Sequence, residues 1–243
     1  MGRRHPQPLC RAAVIVAYLA ILAVGAPGAG AGADVNDSAQ SPLQIGFDAI
    51  PIAEPWVDAT AFGAWYSLHD GFGRTQVEPA GNGRVLTLRT RVPATAAETF
   101  SSLVRTRRAF HDVDFSVTLR TTAQLRKQHP NPWEVGWVLW RYTDNRHFYS
   151  FIVKPNGWEL AKQDGAYDGS QRFLAFSYQR SYPVGRAYRI RVRHVGRTVT
   201  VWVDGTRIVR YIDRERPYSS GSIALYAEDS AVRYSPVLLH RRG

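Results

Sequence analysis

The segment 112–122, DVDFSVTLRTT, constrains this chain more than any other stretch. Val113, Phe115, Val117 and Leu119 fall on one face, and Asp114, Ser116, Thr118 and Arg120 on the other. A period of two held over this length is the pattern of a half-buried strand, apolar side in and polar side out. Segments 85–88, 101–106 and 188–194 repeat it, and 65–68 reads as a further short strand. Asn156-Gly157 and Asp204-Gly205 stand between strand-like runs, where such pairs form tight hairpins. Segments 221–226 and 231–239 read as closing strands, and no helical period longer than a turn or two follows residue 33. Short strands at this spacing, separated by Gly, Asn and Asp turns, predict an all-β fold of two packed antiparallel sheets, a jelly-roll sandwich. In the ladder Arg189, Arg191 and Arg193 the arginines share a face opposite Ile190 and Val192, the reading being a solvated outer face.

The N-terminus is of another kind. Arg3, Arg4 and Arg11 precede or open the apolar run 12–26, which is shorter than the roughly 20 residues a membrane span needs. Ala31-Gly32-Ala33 then offers a small-residue cleavage site before Asp34. The expected organisation is a signal peptide over 1–33, a flexible N-terminal segment over 34–44 and one β-sandwich domain over 45–243. The mature chain is expected to be secreted, or extracytoplasmic, with no transmembrane segment once the signal is removed. Cys10 is the single cysteine and leaves with the signal, so stability must come from a hydrophobic core rather than a disulfide. The formal charge is +11, three of the arginines lying in the leader. This balance favours an anionic partner such as an acidic glycan. Nucleic acid is not expected, because beyond Arg105-Thr106-Arg107-Arg108 no dense basic run occurs.

Chemistry-bearing residues concentrate in 132–174, which holds Trp133, Trp137, Trp140 and Trp158. Arg141, Lys154, Glu159 and Lys162 stand there inside apolar segments, and charges in such places are either paired or functional. On a regular strand Trp137 and Arg141 share a face: an aromatic platform for a pyranose ring beside a guanidinium that binds hydroxyls or carboxylates bidentately. The competing reading is a buried Arg–acid pair beside a core Trp. Trp158 and Lys162 share a face of the third strand of this region, and Tyr149 offers a hydroxyl on the strand between. The expected ligand set is therefore Trp137, Arg141, Tyr149, Trp158 and Lys162. Candidate acid/base groups are Glu134, Tyr149 and Glu228; the competing reading for the two glutamates is a solvated strand end. Asp164 and Asp168 are the acids from which a calcium loop would start, but the EF-hand spacing is absent, so a polar loop is the simpler reading. No cofactor other than calcium finds candidate donors. No HExxH, Gly-x-Ser-x-Gly or phosphate loop occurs.

The series WEVGWVLWRY, HFYSFIVKPNGWELAK, the late VWVDG hairpin and the closing GSIALYAED resemble the concanavalin A-like lectin/glucanase superfamily. More narrowly they are similar to laminin-G-like and family-16-glycosidase-like secreted domains, over about 65–239. The resemblance implies a two-sheet jelly roll whose concave face holds carbohydrate. It does not carry over catalytic residues: the Glu-x-Asp-x-x-Glu strand of family-16 glucanases is missing, and Glu134, Glu159 and Glu228 stand in three segments. The expected function is a secreted carbohydrate-binding jelly roll for an acidic or cell-envelope glycan. The alternative is a glycan-cleaving enzyme, hydrolase or polysaccharide lyase, on the same face; a third reading is an interaction module for a protein or envelope lipid.

Overall fold

The structure, a computed structural model, describes residues 43–240 apart from Asn82. The expected signal peptide and most of the 34–44 segment lie outside the described residues.

Two antiparallel sheets form a concanavalin A-like jelly-roll sandwich. One has nine strands, in the order β14 (Thr206–Ile212), β13 (Thr198–Val203), β12 (Tyr188–Val195), β7 (Val113–Gln124), β16 (Ser230–Tyr234), β5 (Gly83–Arg89), β4 (Arg74–Ala80). In the same sheet β17 (Val237–Leu239) pairs with β7 and with β1 (Leu43–Ile45). Leu43 and Gln44, expected in the flexible segment, are thus strand residues. The other sheet has eight strands, in the order β11 (Gln171–Ser177), β10 (Gly157–Asp164), β9 (His147–Lys154), β8 (Gly136–Asp144), β15 (Gly221–Glu228), β6 (Ser101–Phe110), β3 (Trp65–His69), β2 (Thr60–Phe62). The segment read as one strand over 231–239 divides at Ser235-Pro236, where proline has no N–H to give the ladder.

The alternation read in 112–122 is the core. Val113, Phe115, Val117 and Leu119 turn inward, against Val104, Val138, Trp140, Phe151 and Leu225 of the other sheet. The eight-stranded sheet is covered on its other face too. Leu103, Leu139, Tyr142, Phe148, Ala224 and Tyr226 make a second apolar cluster there, with Leu68 and Trp137 at its margin. An apolar cluster on the outward face of a sheet is the unusual feature, and it marks the floor of a cleft.

One irregularity decides which side chains reach that floor. The β8–β9 register slips between Trp140 and Asp144, and Arg141 has a φ of 48°. Trp137 and Leu139 face outward, Trp140 and Arg141 both turn inward, and Tyr142 returns to the outer face. The bulge packs on Gly221 of β15, where a Cβ would lie 2.3 Å from the Arg141 carbonyl carbon. A regular strand would have kept Trp137 and Arg141 together; the bulge separates them.

Candidate functional site

The cleft opens on the outer face of the eight-stranded sheet and encloses about 580 Å³, open mouth included. Trp137 and Leu139 of β8, Tyr226 and Glu228 of β15, Ser101 and Leu103 of β6 and His69 at the end of β3 line it. Gln163, Gly169 and Gln171 close the far side. Its make-up is that of a small-ligand site: apolar walls with a few convergent polar groups.

The polar groups are connected. The Tyr226 hydroxyl donates to Glu228 Oε2 at 2.6 Å. Ser101 lies opposite Glu228 in the β6–β15 register, and its Oγ is 3.2 Å from His69 Nε2. The Trp137 ring meets the Tyr226 ring edge-to-face with centroids 5.2 Å apart, and its indole N–H donates to Trp133 O at 2.9 Å. Behind the wall, Tyr234 OH lies 2.6 Å from Tyr226 O and 3.1 Å from Trp137 O, tying the two strands that carry the site.

Glu228 is 3 % exposed, and burial pushes its carboxyl up to about 7, against the lowering effect of the Tyr226 bond. The like charges of Asp229 and Glu134 push the same way. Arg126 donates to Glu134 at 2.6 Å and to Asp229 at 2.8 Å, and Asn131 donates to Glu134 at 2.7 Å. Those two carboxylates are therefore engaged, whereas Glu228 is bonded to Tyr226 and the Trp133 side chain and faces the cleft. Burial also holds the His69 imidazole below its ordinary value, against the pull of Asp70. Near neutral pH the site thus presents a half-ionised carboxyl, a neutral imidazole and a phenol whose pKa burial raises well above the ordinary value.

Of the residues expected from the sequence, Trp137 and Glu228 line the cleft, and Glu134 sits behind Glu228 in its ion pair. Arg141, Tyr149, Trp158 and Lys162 are corrected as a ligand face: their side chains turn into the sandwich. Arg141, 2 % exposed, bonds to the carbonyls of His111, Gly196 and Tyr218, to His194 and to Asp112. Lys162, fully buried, donates to Asp213 at 3.0 Å and to the carbonyls of Glu215 and Arg216. Tyr149 OH donates to the same Asp213 carboxylate at 2.6 Å, so it is a structural phenol and not a cleft base. Trp158 stacks on Phe151, with centroids 5.9 Å apart. The Lys154–Glu159 pair completes the set of charges inside apolar strands, and all four are paired.

Asp164 receives Arg216 at 3.2 Å and the Ala166 N–H at 3.0 Å, while Asp168 opens a short 3₁₀ turn, Asp168–Ser170. Among the described residues no group of three or more acids and histidines is arranged to hold a metal ion. No described helix is long and apolar enough to cross a membrane. His69, Ser101 and Tyr226 were not read as site residues. Tyr226 had a signal, since it stands two residues before Glu228 on an alternating strand and so shares its face. His69 and Ser101 meet only through the β3–β6 pairing, which no local pattern announces.

Solved structures of low identity share the architecture. The carbohydrate binding module CBM66 from Bacillus subtilis is 14% identical with a TM-score of 0.54, over 77% of this chain and 100% of that one. The GH16 protein of mixed-linkage glucan use in Bacteroides ovatus, solved with a G4G4G3G product, is 8% identical with a TM-score of 0.52, over 82% of this chain and 99% of that one. A GH16 endo-glucanase from Bacteroides ovatus is 9% identical with a TM-score of 0.51, over 76% and 98%. At such identities the likeness is one of fold. No curated protein matches the sequence. Residues 54–238, most of the chain, match the 3-keto-alpha-glucoside-1,2-lyase-like domain, and the chain belongs to that family.

Proposed function

We propose that the cleft binds a single 3-keto-α-glucoside ring against Trp137 and that Glu228 abstracts its C2 proton, expelling the substituent at C1. The observation that carries this reading is one buried carboxyl at the cleft floor, titrating near neutrality and held by Tyr226. A general base working at pH 7 needs such a value. The ketone at C3 acidifies the C2–H bond. Its electron pair becomes the C1=C2 double bond as the C1–O bond breaks, and the departing oxygen takes a proton from water. In an α-glucoside the C2 hydrogen and the C1 oxygen are trans-diaxial. Base and proton source therefore stand on opposite faces of the ring, which suits a carboxyl at the floor and an open mouth above it.

Glycoside hydrolysis is the weaker reading. It needs two carboxyl groups flanking the bond, and Glu228 is the only acid among the described residues that lines the cleft. Elimination needs one. The glycan partner and the extracytoplasmic location are parts of the same proposal, the first supported by the family and the second by the leader sequence.

The test is incubation of the purified chain with a 3-keto-α-glucoside, followed by absorbance of the conjugated enone product. Glu228→Gln should bind the compound and produce no enone. Turnover surviving in that variant would remove Glu228 from the reaction; binding without turnover by the parent protein would make the domain a carbohydrate-binding module.

A further inference from the structure

With Arg141 and Lys162 buried inside the sandwich, a second set of arginines stands exposed on the sheet away from the cleft. The outward side chains of the nine-stranded sheet are dominated by arginine. Arg189, Arg191 and Arg193 alternate out of β12, and the register carries Arg191 to Trp202 and Arg193 to Thr200 on β13, then on to Arg207 and Arg210 of β14. Across the rest of the sheet, arginines face each other directly. Arg120 of β7 is opposite Arg233 of β16, and Arg89 of β5 is opposite Arg74 of β4. Like charges directly opposite destabilise a sheet. Among the described residues, two acids on this face answer them. Glu78 takes Arg233 at 3.0 Å, and Asp114 takes Arg191 bidentately at 2.9 and 2.8 Å with Arg193 3.8 Å away. Among the described residues no acid pairs with Arg74, Arg89, Arg120, Arg207 or Arg210. His240, at the same face, is held below its ordinary value by burial first and then by the positive field of Arg191 and Arg189.

We infer that this arginine face is a docking surface for an acidic polysaccharide. Its guanidinium groups are spaced by the sheet itself, about 4.8 Å between strands and about 6.8 Å along one. From β4 to β14 they span about 29 Å, which suits an extended chain bearing carboxylates at intervals, each able to take a guanidinium in a fork. A membrane surface would call for apolar side chains that penetrate it. Here Trp202 is half-buried with the Arg191 guanidinium 5.2 Å from its ring centre, and Val195 and Ile212 stand at the rim. Single-stranded nucleic acid would call for open aromatic rings on which bases stack. The inference does not depend on the chemistry of the cleft, which lies on the other sheet.

The experiment measures binding of the full chain to polygalacturonate at low salt, with dextran, phosphatidylglycerol vesicles and single-stranded DNA as the other arms. Polygalacturonate should bind, dextran should not, and the affinity should fall as salt rises. The triple variant Arg193→Gln, Arg207→Gln, Arg210→Gln should bind at least tenfold more weakly. A second triple variant, Arg107→Gln, Arg108→Gln, Arg146→Gln, removes the same charge from exposed sites off this face and should bind as the parent does. Arg210→Gln alone, on the edge strand, reads the effect at smaller size should the first variant not fold. Equal loss in the two triple variants would reduce the effect to net charge and overturn the proposal. So would tighter binding to vesicles or to DNA than to polygalacturonate.

Discussion

Replacing Glu228 by Gln should make the protein more stable, by an amount that grows as pH rises above about 4.5. The folded-state pKa of Glu228 is raised from 4.5 to about 7. A carboxyl whose folded pKa lies above its unfolded one contributes stability in its neutral form. That stability is fully present below about pH 4.5 and is lost as pH rises through about 7. At 1.36 kcal/mol per unit, the shift amounts to roughly 3 kcal/mol lost by about pH 8. Gln keeps the shape and an oxygen for the Tyr226 hydroxyl but has nothing to ionise. The difference between variant and parent should therefore be smallest near pH 4 and grow to roughly 3 kcal/mol by pH 8, or about 6–12 °C in Tm for a domain of this size. Asp229 and Glu134 reinforce the trend, since in the variant they lose a charged neighbour above pH 7. Thermal or urea melts of both proteins across this range measure it. Parallel stability curves would refute the reasoning, because they would mean that Glu228 ionises when folded as it does in water. The site would then lack the neutral-pH base on which the proposed elimination depends.

Arg141→Ala should cost roughly 3–5 kcal/mol, read as a loss in Tm, because it strands the carbonyls of His111, Gly196 and Tyr218 inside the protein. Lys162→Met should cost a similar amount by leaving Asp213 buried with the Tyr149 hydroxyl and the Glu215 N–H as its other donors. Trp137→Ala, at a half-buried ring on the cleft wall, should cost less than the roughly 3–5 kcal/mol of a core Trp and should abolish binding of the sugar, measured by calorimetry. The rate of enone formation should rise with pH through about 7 in the parent protein, as the Glu228 carboxyl ionises. N-terminal sequencing of secreted material should begin near Asp34.

The fold was legible because burial writes itself into alternation. Val113 to Leu119 could point inward only as a strand, and the Asn156-Gly157 and Asp204-Gly205 turns fixed where strands reverse. The side on which a residue falls is harder to read once a strand is irregular. Counting in twos puts Arg141 with Trp137, and one bulge turns it to the opposite face. Its rule was still useful: a charge in an apolar strand is paired or functional, and Arg141, Lys154, Glu159 and Lys162 are all paired. The partners were beyond reach, since Asp213 lies 51 residues from Lys162 and His194 lies 53 from Arg141. Strand β4 is not legible in the sequence because RTQVEPA turns only Thr75 and Val77 fully inward, too short a period to register.

The two faces of the sandwich make opposite electrostatic demands, and this bears on what the cleft accepts. Glu228 faces the ligand with Asp229 and Glu134 behind it, and Arg126 is committed to the latter two. An anionic substituent brought close to Glu228 would have to displace water beside this acid group without a cation in return. It would raise the Glu228 pKa further and so remove the base at neutral pH. Arg141 and Lys162, which would have welcomed such a ligand, are spent inside the sandwich, where His194 is pushed down to about 3 by burial and by Arg141. On the proposed elimination a neutral ring is therefore the substrate that suits the cleft, and the proposed polyanion site falls to the arginine sheet. Under the two proposals together, holding the domain to an acidic polymer by its back would keep the mouth of the cleft free for small neutral glycosides released nearby.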